Sequence, residues 1–411
     1  MLPPVLEVYV VWHPDDTEGE GIAASLLSHF RGTKFSGLIG GAVDVYVRSA
    51  SSTDDPAGAP RPVPCVAPLP YGILAPALTA IVLVGGLGLD GALREDGPWL
   101  AYVADLAAAR DRSAGSVGLF TVTTAAHVLD GPLGDHVGHV LGPAHGAFAR
   151  PGFDETLCRD VAQGIAQMGA ADGARVTVFV SHTKRRSVTE RAEVTSLVGL
   201  VRSVIAETRL GEFFDSHDLQ VNEDWARALE AAASTSALLA VRTDLYSTRP
   251  WCQREVLIAK RRGMPIVMLD ALTTGEERGS FVMDHVPRSP SRQGPDDEWR
   301  REDVIRALGR LVDECLKRVL WRRQKDLAKA HGLPVDVDWW AAHAPEPVTF
   351  LDWLDTHEDL AGQRTEPIVV LHPDPPLGPD EIDVLEQVAR LASMHEHIEF
   401  LTPRGLAARG G

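Results

Sequence analysis

Between residues 173 and 290 the apolar positions switch back and forth between two periods. Val176-Thr177-Val178-Phe179-Val180 is a β-branched run suited to a strand buried on both faces. Ser187-Val188-Thr189-Glu190 then fits a capping box. Val194, Leu197, Val198, Val201, Val204 and Ile205 follow at helical spacing. Glu212-Phe213-Phe214-Asp215 reads as a short second strand, and Asn222 to Ala233 as a second helix with Trp225 and Leu229 inward. Ala237 to Val241 is a third strand. The next helix, Pro250 to Arg262, has proline in its first turn, basic residues in its last and Gly263 as its stop. Pro265-Ile266-Val267-Met268-Leu269 is a fourth strand. This order predicts a parallel, doubly wound α/β sheet.

Residues 1–150 repeat the plan. The expected strands are Val8–His13, Val43–Val47, Ile81–Gly85 and Val117–Thr121, with helices over Gly21–Phe30 and Trp99–Arg110. A Pro/Gly/Ser-rich loop spans about Ala50 to Tyr71. Aligning the helices after strand three sets Pro98-Trp99 on Pro250-Trp251, so Val103 falls where Glu255 stands. Residues 300–330 are helical and charged and read as a linker. Residues 331–411 form a C-terminal α/β extension with a tryptophan-rich start (Trp339, Trp340, Trp353), a strand at Ile368–Leu371, a helix at Asp380–Leu391 and a strand at Ile398–Leu401. That last βαβ, about 45 residues, is marginal as an independent domain and is expected to dock on another.

A net charge of −17, from 40 basic and 57 acidic residues, argues against nucleic-acid or anionic-membrane partners, which need a basic face. The basic run Lys317 to Lys325 is short and reads as a solvated helix face. Cys65, Cys158, Cys252 and Cys315 form no CxxC and have no histidine at metal-ligand spacing, so reduced thiols in a cytoplasmic protein are expected, with no metal. The N-terminus lacks a basic stretch before its apolar residues, and Ala80–Leu89 is too short to span a bilayer.

The candidate chemistry sits after strand three of the second unit. In open α/β sheets ligands bind beyond the C-terminal strand ends. Trp251-Cys252-Gln253-Arg254-Glu255 opens the helix there, and the i,i+4 spacing puts Trp251 and Glu255 on one helical face. Taken alone, such a glutamate is more often a solvated residue favoured by the helix dipole. Gly85-Gly86-Leu87-Gly88 is a glycine-rich turn without the Lys-Ser/Thr of a phosphate loop.

In its surroundings the pattern is more specific. Val178-Phe179-Val180-Ser181-His182, Phe213-Phe214-Asp215, Trp225 with Ala228-Leu229-Glu230, Ser234-Thr235-Ser236, Tyr246-Ser247 and Trp251-Cys252-Gln253-Arg254-Glu255 stand in order on the expected elements. Together they resemble a bacterial TIR (Toll/interleukin-1 receptor) domain of the NAD+-cleaving type, over about 120 residues. The first unit resembles a divergent TIR-like domain that lacks the acid. The loop after strand two departs from the family: it reads Asp218-Leu219-Gln220-Val221-Asn222 where a Pro-Gly pair is common.

The resemblance implies flavodoxin-like sheets and an NAD+ glycohydrolase or ADP-ribosyl cyclase, with NAD+ as substrate and no separate cofactor. Glu255 would be the catalytic carboxylate. Ser181, His182, Asp215, His217, Trp225 and Trp251 would border the substrate, although Asp215 also fits a turn cap and Trp225 a core residue. Arg185 and Arg186 fit a solvated loop better than a pyrophosphate contact, and Cys252 a packed thiol better than a nucleophile. The resemblance further implies assembly through TIR–TIR contacts, activation by oligomerisation and an effector role in antiphage immunity. The competing reading is a non-catalytic scaffold that binds other TIR domains.

Overall fold

The structure is a computed structural model. It describes residues 2–37, 43–52, 58–66, 74–125, 127–137, 140–141, 152–170, 175–183, 188–208, 210–213, 236–332, 336–357, 367–392 and 398–409, with backbone alone at 140–141, 188–194 and 211–213. The chain divides into two compact units, Met1–Gly173 with Val319–Leu333, and Ala174–Arg318 with Pro334–Gly411.

In the first unit β1 (Leu6–Trp12), β2 (Asp44–Arg48), β3 (Leu78–Gly85), β4 (Val117–Thr123) and β5 (Val140–Leu141) form one parallel sheet in the order β2-β1-β3-β4-β5. Every residue of β3 and β4 is buried, as expected for strands covered on both faces. Helices α1 (Glu18–Phe30), α2 (Leu87–Arg94), α3 (Pro98–Arg112), α4 (Pro132–His136) and α5 (Phe153–Gly169) belong to the same unit. Leu83, Leu93, Trp99, Val103 and Leu106 belong to the core on one side of this sheet.

The second unit repeats the topology. Its strands are β6 (Thr177–Ser181), β7 (Gly211–Phe213), β8 (Ser236–Arg242), β9 (Ile266–Asp270) and β10 (Arg288–Pro290). They pair in parallel in the order β7-β6-β8-β9-β10. Both sheets therefore have the 2-1-3-4-5 order of a flavodoxin-like, doubly wound α/β fold. Helix α6 (Val188–Ala206) follows β6, and α7 (Pro250–Arg261) follows β8. The expected second helix, Asn222 to Ala233, and the capping serine Ser187 lie outside the described residues.

The expected boundaries shift in three places. Helix α5 belongs to the first unit, which runs past residue 150. The segment expected as a linker is one helix, α8 (Arg301–His331), whose residues before Val319 group with the second unit and those from Val319 with the first. It is helical as expected, and its apolar side, with Leu308, Leu311, Leu316 and Leu320, is buried. The C-terminal extension groups with the second unit. It is a three-stranded parallel sheet of β11 (Trp339–Trp340), β12 (Ile368–Leu371) and β13 (Ile398–Leu401), with α9 (Pro347–Thr356), α10 (Pro379–Leu391) and α11 (Pro403–Arg409). The tryptophan-rich stretch is core material: Trp339 and Trp353 stack at 5.2 Å, and Phe350 lies parallel to Trp339.

The extension is tied to α7 by a buried ion pair. Lys260 Nζ donates to Glu346 Oε2 at 2.8 Å and to the Asp284 carbonyl at 2.6 Å. Among the described residues no helix is long and apolar enough to cross a membrane. The four cysteines are free thiols.

Candidate functional site

Strand pairing sets Ser181, the last residue of β6, beside Ala240 of β8. After β8 the chain makes a one-turn 3-10 helix, Tyr246–Thr248, and enters α7 with Pro250 in the first turn. Proline suits that position because its missing N–H would have no intrahelical partner. Glu255 lies in the second turn of α7 and faces inward.

The Ser181 hydroxyl donates to Glu255 Oε2, and Ser181 Oγ lies 2.6 Å from the Tyr246 hydroxyl. All three residues are buried, with exposures of 1% for Ser181, 0% for Tyr246 and 2% for Glu255. Burial pushes the Tyr246 phenol well above its ordinary range, and the negative charge of the Cys252 thiolate and of Glu255 would push it further. Tyr246 therefore keeps its proton at any physiological pH. Glu255 is thus a core carboxylate with a designated hydrogen-bond partner, and the solvated reading of it does not hold.

A second polar network braces the turn that carries Tyr246. Arg242, at the end of β8, reaches Asp270 at 3.0 Å and grips Glu276 through Nε at 3.0 Å and a second nitrogen at 2.5 Å. Glu276 also accepts the Ser247 hydroxyl at 2.5 Å, and Gln253 Nε2 donates to the Ser247 carbonyl at 2.6 Å. Beside it Asp244 accepts hydrogen bonds from Thr273, Thr274 and Gly275. Burial works to raise the Asp244 carboxyl, but the bonds from Thr274 and Thr273 outweigh it and hold the group below the usual carboxylate range.

The structure gathers some of the expected residues and leaves others aside. Ser181 and Glu255 touch. His182 follows Ser181 and is half-buried, its Nδ1 donating to the Thr183 carbonyl at 3.1 Å. Trp251 packs partly buried against the core, with the Arg254 guanidinium 5.8 Å from its ring centre. Cys252 is buried in that core, as a packed thiol would be. Asp215, His217, Trp225, Arg185 and Arg186, and the loop Asp218 to Asn222, lie outside the described residues. Among the described residues no cluster of histidine, cysteine and carboxylate side chains gathers to hold a metal ion.

Sequence reasoning placed Tyr246 in a motif without assigning it a role, and it gave none to Arg242 or Glu276. The usable signal was an isolated tyrosine four residues beyond a fully buried strand, where its ring turns back into the core.

The same positions in the first unit are apolar. Trp12 ends β1 as Ser181 ends β6, and each is followed by a histidine, His13 or His182. Helix α3 begins Pro98-Trp99 and puts Val103 where α7 has Glu255. The His13 ring packs 5.1 Å from that of Trp99. Asp16 turns inward and accepts N–H groups of Gly88 at 2.7 Å and Leu89 at 2.9 Å, at the start of α2. A Cβ on Gly86 would collide with the Asp16 carboxylate, so glycine is needed for that approach. The glycine-rich turn of this unit thus receives an internal carboxylate.

Compared with protein-family models, with curated proteins and with solved structures, the chain matches none.

Proposed function

We propose that the second unit cleaves NAD+ at the nicotinamide–ribose bond, as a TIR-type NAD+ nucleosidase with Glu255 as its catalytic carboxylate. The observation that carries this reading is a buried carboxylate beyond the C-terminal ends of β6 and β8, bonded to the hydroxyl that ends β6. Open α/β sheets bind their ligands at that end of the strands.

The chemistry needs one acid. The C1′–N bond breaks with its electron pair going to nicotinamide, which leaves neutral and requires no proton. The ribose is left with oxocarbenium character at C1′, which a nearby carboxylate stabilises while holding the ribose hydroxyls. Attack by water, with loss of one proton, gives ADP-ribose; attack by a nucleophile within the substrate gives a cyclic product. The remaining parts of the reading rest on the resemblance alone: a cytoplasmic effector of antiphage immunity, activated when copies of the chain assemble.

The test is NAD+ consumption by the purified full-length chain at high concentration, with and without a crowding agent, beside Glu255→Ala. Nicotinamide release that falls by about 10²–10⁴ in the variant, or roughly 3–5.5 kcal/mol of barrier, supports the enzyme. No turnover in any assembled state transfers the weight to the non-catalytic scaffold.

A further inference from the structure

We propose that Ser181 and Tyr246 are positioning residues for Glu255, forming an ordered relay from the Tyr246 phenol through the Ser181 hydroxyl to Glu255 Oε2. The use made of the carboxylate rests on the NAD+-cleaving reading; the relay itself rests on geometry.

The order of the protons follows from what each group can give. An ionised carboxylate only accepts. Ser181 has one proton, and the bond to Oε2 takes it. The 2.6 Å contact with Tyr246 must then be donated by the phenol, into a lone pair of Ser181 Oγ. The phenol is protonated throughout the relevant pH range, so it can serve as the terminal donor.

The middle and the far end of the relay are fixed by scaffold. Ser181 is locked by parallel pairing with β8. Tyr246 is locked by its own turn: its N–H donates to the Thr243 carbonyl at 2.9 Å, and its carbonyl accepts from Arg249 at 3.1 Å. The adjoining Ser247 is held by Glu276, which Arg242 holds in turn. All three relay residues are buried, so bulk water does not readily take the place of a missing member. Donating that proton to substrate would require the bond to Glu255 to break. The relay thus commits the Ser181 proton to the carboxylate.

Two effects follow. The relay selects one carboxylate rotamer, and it favours the charged form, because a hydrogen bond donated to a carboxylate is lost when that oxygen is protonated. Without the relay Glu255 should titrate higher and aim less well. The loss should appear in kcat rather than KM, since substrate binding elsewhere is untouched.

The experiment follows the Glu255 carboxyl by 13C NMR of glutamate-labelled full-length protein, identifying its signal as the one missing in Glu255→Gln. Titrations of wild type, Ser181→Ala, Tyr246→Phe and the double variant are set beside kcat and KM against pH. In Ser181→Ala the carboxyl titration and the acidic limb of kcat should both move up by about one pH unit, with kcat down about 10- to 100-fold and KM within about twofold. Tyr246→Phe, which keeps the ring, should move both the same way by less. The double variant should match Ser181→Ala, because a relay broken in the middle gains nothing from its far end. Ser181→Thr, which restores a hydroxyl, should bring the titration back.

A Glu255 titration unmoved in Ser181→Ala, or effects of the two substitutions that add in full, would overturn the relay. If Ser181→Ala fails to fold, Tyr246→Phe alone decides, by whether the Glu255 titration moves. If the titration moves but no variant or wild type cleaves NAD+, the relay stands and the enzymatic reading falls. If NAD+ is cleaved and the titration does not move, the relay alone falls.

Discussion

Ser181 and Glu255 are 74 residues apart in the chain, yet the hydroxyl of one donates directly to the carboxylate of the other inside the core of the second unit. A buried charge is tolerated only when hydrogen-bonded or paired. The pair therefore marks a place where the fold retains a carboxylate in a core setting; the corresponding position of the first unit holds the buried Val103.

Glu255→Gln separates chemistry from stability. The amide keeps the volume of the acid and offers an oxygen to the Ser181 hydroxyl. Urea unfolding should therefore change by no more than about 1 kcal/mol. Nicotinamide release should still fall by about 10²–10⁴, because the negative charge is gone. A variant that unfolds easily would show that the charge, and not the shape, supports the fold. A stable variant with wild-type turnover would remove Glu255 from the reaction.

The converse substitution tests the first unit. Val103 is fully buried, and Trp12 stands where the second unit has its serine. Val103→Glu places a carboxylate in a core without that donor. It should destabilise the unit by on the order of 3 kcal/mol or more. The check is the shift of the unfolding transition in thermal or urea melts. A variant as stable as wild type would show that the first unit can still house the acid.

How far the sequence carried these conclusions depended on length and periodicity. The β-branched runs Val8–Val11 and Val178–Val180, and the apolar run Ile81–Val84, marked buried strands because no other element needs such runs there. Strands β5 and β10 were not foreseen: Val140–Leu141 is two residues, and Arg288-Ser289-Pro290 has no apolar alternation. They are strands only because a neighbouring edge offers them partners. Trp339 and Trp340 read as a tryptophan cluster and proved to be an edge strand. Glu255 was found through its helix start and its motif. The Tyr246 hydroxyl was not, because its partner belongs to a strand 65 residues away, and local pattern does not encode such a meeting. The boundary of the first unit was missed for a related reason: α5 and the far part of α8 group with it by tertiary contact, not by proximity in the chain.

The ion pair between Lys260 and Glu346 should behave as a buried pair. Both side chains are almost wholly enclosed. Glu346 also caps α9, reciprocally with Thr349. Lys260→Met leaves the Glu346 charge buried without its cation, and should cost roughly 3–5 kcal/mol in urea unfolding. Adding Glu346→Gln to it should recover most of that loss, since the amide keeps an oxygen for the cap and carries no charge. A single variant within about 1 kcal/mol of wild type would mean that water reaches the pair.

His343 gives the stability of the second unit a pH dependence whose sign is fixed by its surroundings. Burial disfavours the charged ring and nearby Arg318 adds to this, so the pKa falls from 6.5 to about 4. The bond from Nδ1 to the Ala344 carbonyl at 3.0 Å favours the charged ring but does not outweigh burial. The unfolded chain therefore takes up a proton near pH 6.5 that the folded protein refuses until about pH 4. The neutral histidine's stabilising contribution is complete above 6.5. It declines as the pH falls through that window, and the loss levels off below about 4. Such a shift corresponds to roughly 3 kcal/mol at most, and the solvent that still touches part of the residue reduces it. Urea unfolding at pH 7.5, 6, 5 and 4 should show wild type losing stability faster than His343→Gln, which has no proton to gain. Parallel pH profiles would mean that the folded protein accepts the proton as readily as the unfolded chain, and that His343 is not held neutral.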